Sequence, residues 1–180
     1  MGASTGEHCM YARALGVPFR SLPWAIRYVH ADSSWRVLIG WVSVHRGRGI
    51  TAWLAGWLFD FPPAMGRMPC RVEFCTTPGG ERWWRHFGGY PMMSYLSVEG
   101  GTLFESFGRL KCELQCQKCG LALVIRCSRA WFAGIPLPRW LAPHVIASEK
   151  ERDGRFLFRV SIRVPLCGLI AAYHGTLEAI

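Results

Sequence analysis

"CRVEFCTTPGGERWWRHFGGYPMMSYLSVEGGTLFESFG", residues 70–108, decides how the chain is read. Glycine pairs recur at Gly79-Gly80, Gly88-Gly89 and Gly100-Gly101. Between them lie short runs rich in aromatic and β-branched residues. Such runs fit strands, and the glycine pairs fit the turns that join them. In a strand, alternate side chains face opposite ways. Trp83, Arg85 and Phe87 then share one face of "ERWWRHF", and Arg82, Trp84 and His86 share the other.

The same rhythm extends in both directions. Strands are expected over about 70–77, 81–88, 92–98, 102–107, 109–117 and 121–129, then 145–152, 155–163 and 167–178. The tetrapeptide "RDGR" within 152–155 supplies a further turn. Upstream, "WRVLIGWVSVH", residues 35–45, is a strand with Trp35, Val37, Ile39 and Trp41 on one face. Residues 50–59 carry Ile50, Trp53, Leu54, Trp57 and Leu58 at helical spacing, and Pro62 and Pro63 end that helix. A short helical lead-in, residues 11–30, is broken by Pro18 and Pro23. Trp24, Ile26 and Val29 are expected to dock it.

These elements define a β-rich α+β chain, read as one domain over residues 1–180. About nine antiparallel strands form a curved meander sheet or an open barrel, with one prominent apolar helix and a short N-terminal helix. The barrel is expected to wrap the aromatic helix. Barrels of this size either fill with side chains or hold one small ligand; the sequence leaves both open.

Composition narrows the function classes. Half the residues are hydrophobic (51%), 13% are aromatic and 18% are charged, which excludes a disordered chain. The net charge of +9 comes from 21 Lys and Arg against 12 Asp and Glu, and it draws a protein toward anionic partners in general. The arginines form no tract, and no recognised nucleic-acid signature accompanies them, so no specific nucleic-acid partner is expected. The longest uncharged apolar run, residues 49–59, is too short to span a bilayer as a helix. No secretory leader is legible, and a cytoplasmic setting is expected.

Eight cysteines in that setting read as thiols. Cys116 and Cys119 have the spacing of half a zinc ribbon, but no matching second pair follows. Leu110, Cys112, Leu114 and Cys116 instead alternate with polar residues, as the buried face of a strand does. No metal or cofactor is expected.

Several blocks together resemble the domain of unknown function 4166 family: "VHRGRGITAWLAGWLFDFPPAMG", "GERWWRHFGG", "EGGTLFESFG", "GIPLPRWLAP", "DGRFLFRVSIRVPLCGLI" and "YHGTL". The resemblance covers about residues 11–178. Its pattern W-x-R-x-F falls on Trp83, Arg85 and Phe87, and it also matches Glu105, Glu149, Phe158, Tyr173 and Gly175. The resemblance implies a bacterial domain, found alone or joined to reductase-like or membrane modules. It supplies no reaction. It places His86 and Cys112, Cys116 and Cys119 at ordinary positions.

Arg85 between two aromatic residues has three readings. It faces outward, with rings covering its stem. It is buried and paired with a carboxylate, Glu105 or Glu149. Or it lines a pocket and holds a ligand anion. The candidate ligand-binding set is Trp83, Arg85, Phe87, Glu105, Glu149 and Tyr173. The first functional expectation is a binding module for an apolar or amphipathic anionic small molecule. A second is an interaction domain that docks a membrane surface or a reductase-like partner through the 50–59 helix. A third is an enzyme, in which Glu149, Tyr173 and Arg85 would converge for proton transfer. No nucleophile elbow, metalloprotease motif or phosphate-binding loop is present to name a reaction.

Overall fold

Apolar–polar alternation becomes strand throughout. The computed structural model describes residues 9–31, 33–58 and 61–180. Its strands are β1 (Trp35–Arg46), β2 (Met65–Thr77), β3 (Gly80–Phe87), β4 (Tyr90–Glu99), β5 (Thr102–Phe107), β6 (Leu110–Cys119), β7 (Ala122–Phe132), β8 (Ile135–Pro136), β9 (His144–Arg152), β10 (Arg155–Val164) and β11 (Gly168–Ala179). Each pairs antiparallel with its neighbours. β6 pairs with β7, and β1 pairs with both β2 and β11. The sheet therefore closes into a ten-stranded barrel, with the two-residue β8 as a hairpin extension of β7.

Closure corrects the expected open or curved sheet of about nine strands. Closing a sheet removes its unpaired edges. The pairings that do so are β1 with β11 (Trp41↔Thr176) and β7 with β9 (Ile125↔Ala147). β1 and β11 come from opposite ends of the sheet's sequence, β7 and β9 are separated by the 133–143 segment, and β1 and β2 by α3, whereas the remaining neighbours are hairpins whose turns are legible.

Turn chemistry accounts for the hairpins. Gly88-Gly89 and Gly100-Gly101 have positive φ at both residues, as a tight turn matched to strand twist requires. Gly79-Gly80 does not use this conformation. Gly80 is needed for close approach instead: a Cβ there would run into the Leu96 carbonyl and the Tyr95 ring.

The two ends of the barrel differ. One end receives the N-terminal segment: α1 (Met10–Leu15), a 3-10 turn (Val17–Ser21) and α2 (Trp24–Val29). Tyr11, Phe19, Leu22, Ala25, Ile26 and Val29 are buried there. Ile26 and Val29 dock as expected, but Trp24 points to solvent. The other end carries α3 (Ile50–Leu58), the 133–143 segment and the 165–167 turn. The barrel does not wrap α3. Among its described side chains Ala52 and Gly56 are buried, while Ile50, Trp53 and Leu54 are exposed; the side chains of Trp57 and Leu58 lie outside the described residues. Arg46 anchors this helix by donating to the carbonyls of Ala52, Phe61, Pro62 and Ile170. Gly56 leaves the space its guanidinium occupies. Helical spacing in 50–58 thus marks a cap on the barrel, since the interior is filled from the strands.

On β1, Trp35, Ile39 and Trp41 do share a face, and it is the outer one. Arg36, Leu38, Val42 and Val44 point inward. The outer indoles are covered laterally: Arg67 lies 4.5 Å over Trp41, and Trp35 packs 6.1 Å from Trp84. Among the described residues no helix is long and apolar enough to cross a membrane.

Candidate functional site: an apolar barrel cavity with paired charges

The inward faces of the strands surround a cavity of about 420 Å³. Antiparallel register decides who lines it. Arg85 is paired with Val72 and Met92, Trp83 with Phe74 and Ser94, and Glu105 with Leu96 and Cys112. Cross-strand partners share a face, so once Trp83 points inward all of these do. Arg82 is on the solvent side, with Trp84 and His86 half-buried there.

All six residues of the candidate set, Trp83, Arg85, Phe87, Glu105, Glu149 and Tyr173, line this one cavity. They come from β3, β5, β9 and β11. The rest of the wall is almost wholly apolar, including Phe74, Phe107, Leu114, Ile125, Phe156 and Phe158. Tyr11 and Val29 from the N-terminal helices form the floor. Thr51, Ala55, Leu137, Leu141 and Pro143 form the mouth. Leu141 is also solvent-exposed, so the cavity wall continues to the surface there.

Arg85 follows the second of its three readings, buried and paired with Glu105, and its side chain also lines the cavity wall. Its Nη2 donates to Glu105 Oε1 at 2.9 Å and its Nη1 to Ser94 Oγ at 2.7 Å. Ser94 Oγ in turn donates to Glu105 Oε1 at 2.7 Å. The guanidinium carbon lies 4.8 Å over the Trp83 ring and 6.0 Å from that of Phe107. Burial opposes the charge on Arg85, but Glu105, together with Tyr173 and Tyr11, more than offsets it, so the Arg85 pKa is raised. The outward reading is excluded: 8% of the residue is accessible. An arginine sits between aromatic neighbours here because its inward face offers a carboxylate partner and a ring to stack on.

Glu149 does not pair with Arg85. Its carboxylate lies 2.6 Å from His30 Nε2, which donates to it when the carboxylate is ionised. The two are buried together, and His30 stacks between Tyr11 (3.7 Å) and Trp83 (5.7 Å). His30 Nδ1 has no hydrogen-bond partner among the described residues. Burial, followed by the nearby Glu149 carboxylate, raises the Tyr11 pKa well above its usual value. Burial likewise pushes Tyr173 up to about 12, against the opposing pull of Arg85. The expected Glu149–Tyr173–Arg85 cluster therefore separates into two stations. Arg85, Glu105 and Ser94 form one, and Glu149 and His30 form the other.

Sequence reading missed Tyr11, His30 and Ser94. It also missed a third buried pair, Arg36 Nη2 to Glu81 Oε2 at 2.6 Å, in which Trp83 Nε1 also donates to Glu81. An available signal was that Arg36 and Glu81 sit on inward, alternating positions of their strands. The reading of β6 holds: Leu110, Cys112 and Leu114 line the cavity. All eight cysteines are free thiols. Burial pushes the Cys70 and Cys116 thiols up to about 12.

The chain is a closed antiparallel β-barrel around an apolar cavity with a few placed polar groups. The model of the domain of unknown function 4166 family matches residues 22–177, nearly the whole chain, and the protein belongs to that family. No curated protein matches the chain.

Proposed function

We propose that this protein is a binding module whose barrel holds one apolar or amphipathic small molecule. The observation that carries the reading is the 420 Å³ cavity, whose mostly apolar lining includes Arg85, Glu105, Glu149, two tyrosines and, at the mouth, Thr51. Small-molecule sites typically have volumes of about 300–1,000 Å³ and apolar walls with a few convergent polar groups. Those groups line the floor and mid-wall, and none of the charged ones belongs to the mouth. An amphiphile therefore enters polar end first and leaves its apolar end among Leu137, Leu141 and Val145.

The pairing of Arg85 alters the expected head group. An isolated guanidinium would favour an anion, but Glu105 already matches this charge, and Glu149 adds a second carboxylate. A ligand anion would have to displace or protonate one of them. A hydroxyl or carbonyl head can instead accept from Arg85 or donate to Glu149 without leaving a charge unpaired.

Displacement of N-phenyl-1-naphthylamine tests this reading. The wild-type protein is expected to enhance the probe's fluorescence, and Ala147→Trp, which fills the cavity from β9, to abolish the enhancement while melting cooperatively. A long-chain alcohol should displace the probe at least as well as the acid of equal length. Absence of probe uptake, or uptake unaffected by Ala147→Trp, would remove the cavity from consideration. Native mass spectrometry of protein purified from its own host would then identify any small molecule that travels with it.

A further inference from the structure

We infer that the mouth of the barrel is a docking surface for an anionic lipid bilayer. Six large apolar side chains stand out from the segments around the mouth: Ile50, Trp53 and Leu54 on α3, Ile135 and Trp140 in the 133–143 segment, and Leu166 in the turn before β11. Each is more than half exposed, with Ile50 at 84% and Leu166 at 77%. Soluble surfaces scatter such residues singly; here three separate segments bring six of them to the mouth, while Val17, Trp24, Leu121 and Ile180 are exposed at the opposite end. Strand register puts them together, because Arg46 pairs with Ala171, Arg163 with His144, and Leu110 with both Phe107 and Phe132.

Charge selects the occupant. Arg48, Arg109, Arg139 and Arg163 are exposed at the same end. Among the described residues, the segments 47–58, 61–65, 88–90, 108–110, 133–143 and 165–168 contain no Asp or Glu. Asp60 stands between two of these segments in the sequence, against four arginines at the described positions. Apolar and indole side chains interleaved with an excess of arginine suit the interface of a bilayer with an anionic surface. The apolar surface is also continuous with the cavity through Leu141, which is 42% exposed and lines the interior. The bilayer would cover the rim and meet the open wall. The inference does not depend on what the cavity holds.

Co-sedimentation of the full chain with large unilamellar vesicles tests it. The chain is expected to pellet with vesicles of mixed phosphatidylcholine and phosphatidylglycerol and to pellet far less with phosphatidylcholine alone. The double variant Trp53→Glu/Trp140→Glu should lose vesicle binding, and Arg48→Gln/Arg139→Gln should weaken it by about tenfold or more. Trp24→Glu, an equally exposed tryptophan at the opposite end, should bind as the wild type does. All changed side chains are exposed, and circular dichroism melts verify that the variants fold. No pelleting with anionic vesicles overturns the inference, as does equal loss in Trp24→Glu. So does a dimer in size-exclusion chromatography that the rim variants dissociate while vesicles go unbound, since the rim would then serve a second copy. Probe uptake lost with vesicle binding retained would refute the cavity reading and leave the docking surface standing.

Discussion

Arg85→Met removes the charge at the centre of the cavity wall and keeps much of the apolar stem. Its cost follows from what is left behind. Glu105 would retain the Ser94 hydroxyl at 2.7 Å but lose its one cation among the described residues. The Arg85 and Glu105 side chains are 10% and 16% accessible, so water does little to compensate the stranded carboxylate. Breaking a buried pair from one side costs about 3–5 kcal/mol. The residual hydroxyl bond and the partial access of Glu105 place this case at the lower end, about 3 kcal/mol. For a chain of this size that corresponds to a fall in Tm of roughly 6–12 °C. Glu105→Gln should cost about as much, because it leaves a buried guanidinium with amide and hydroxyl partners only. The double variant removes both charges and should recover at least about 1 kcal/mol relative to the sum of the single changes. Thermal and urea melts of the three variants measure the coupling directly. Single-variant losses within about 0.5 kcal/mol, or strict additivity in the double, would refute the assignment of Arg85 and Glu105 as a buried pair.

Three further outcomes follow from the same geometry. His30→Ala unpairs Glu149 and opens space beneath Tyr11 and Trp83, so it should destabilise by about 3 kcal/mol or more, whereas Glu149→Gln keeps a hydrogen bond and should cost about 1–2 kcal/mol in urea melts. Because burial raises the folded-state pKa of Tyr173 to about 12, the folded chain holds this proton more tightly than the unfolded chain. The stabilisation is complete below about pH 10 and is lost as pH rises toward 12, so Tyr173→Phe should flatten the alkaline fall in Tm. Iodoacetamide at neutral pH should alkylate exposed Cys119 well before Cys70 or Cys116, whose thiols are pushed up to about 12, as peptide mass spectrometry would reveal.

The strands were legible because their signals are local. A period of two fixes which residues share a face, and paired glycines fix where the chain reverses. Expected strands at 102–107 and 145–152 fall on Thr102–Phe107 and His144–Arg152. Closure was not legible. It rests on β1 meeting β11 and β7 meeting β9, contacts that no turn announces and that curved and closed sheets would write with the same alternation. The role of 50–58 was hidden for a related reason: helical spacing shows which residues align, while Arg46 and Gly56, by tying the helix across the barrel end, decide that Trp53 faces outward.

Partner choice inside the barrel has the same limit, and it bears on function. Alternation placed Arg85, Glu105 and Glu149 on interior faces, but could not say which carboxylate meets the arginine. Register decides it. Glu105 lies on β5, with β4 and its Ser94 between it and Arg85, so the guanidinium reaches across one strand to it. Glu149 lies on β9 against α2, where His30 meets it. Had Glu149 been the partner of Arg85, Glu105 would have been left as an unpaired acid in an apolar wall, at a cost of several kcal/mol. Each acid thus has its own partner: Glu105 neutralises Arg85, and Glu149 is held by a hydrogen bond with His30. A ligand of the proposed kind is then not required to pair Arg85, which can act toward it as an oriented hydrogen-bond donor.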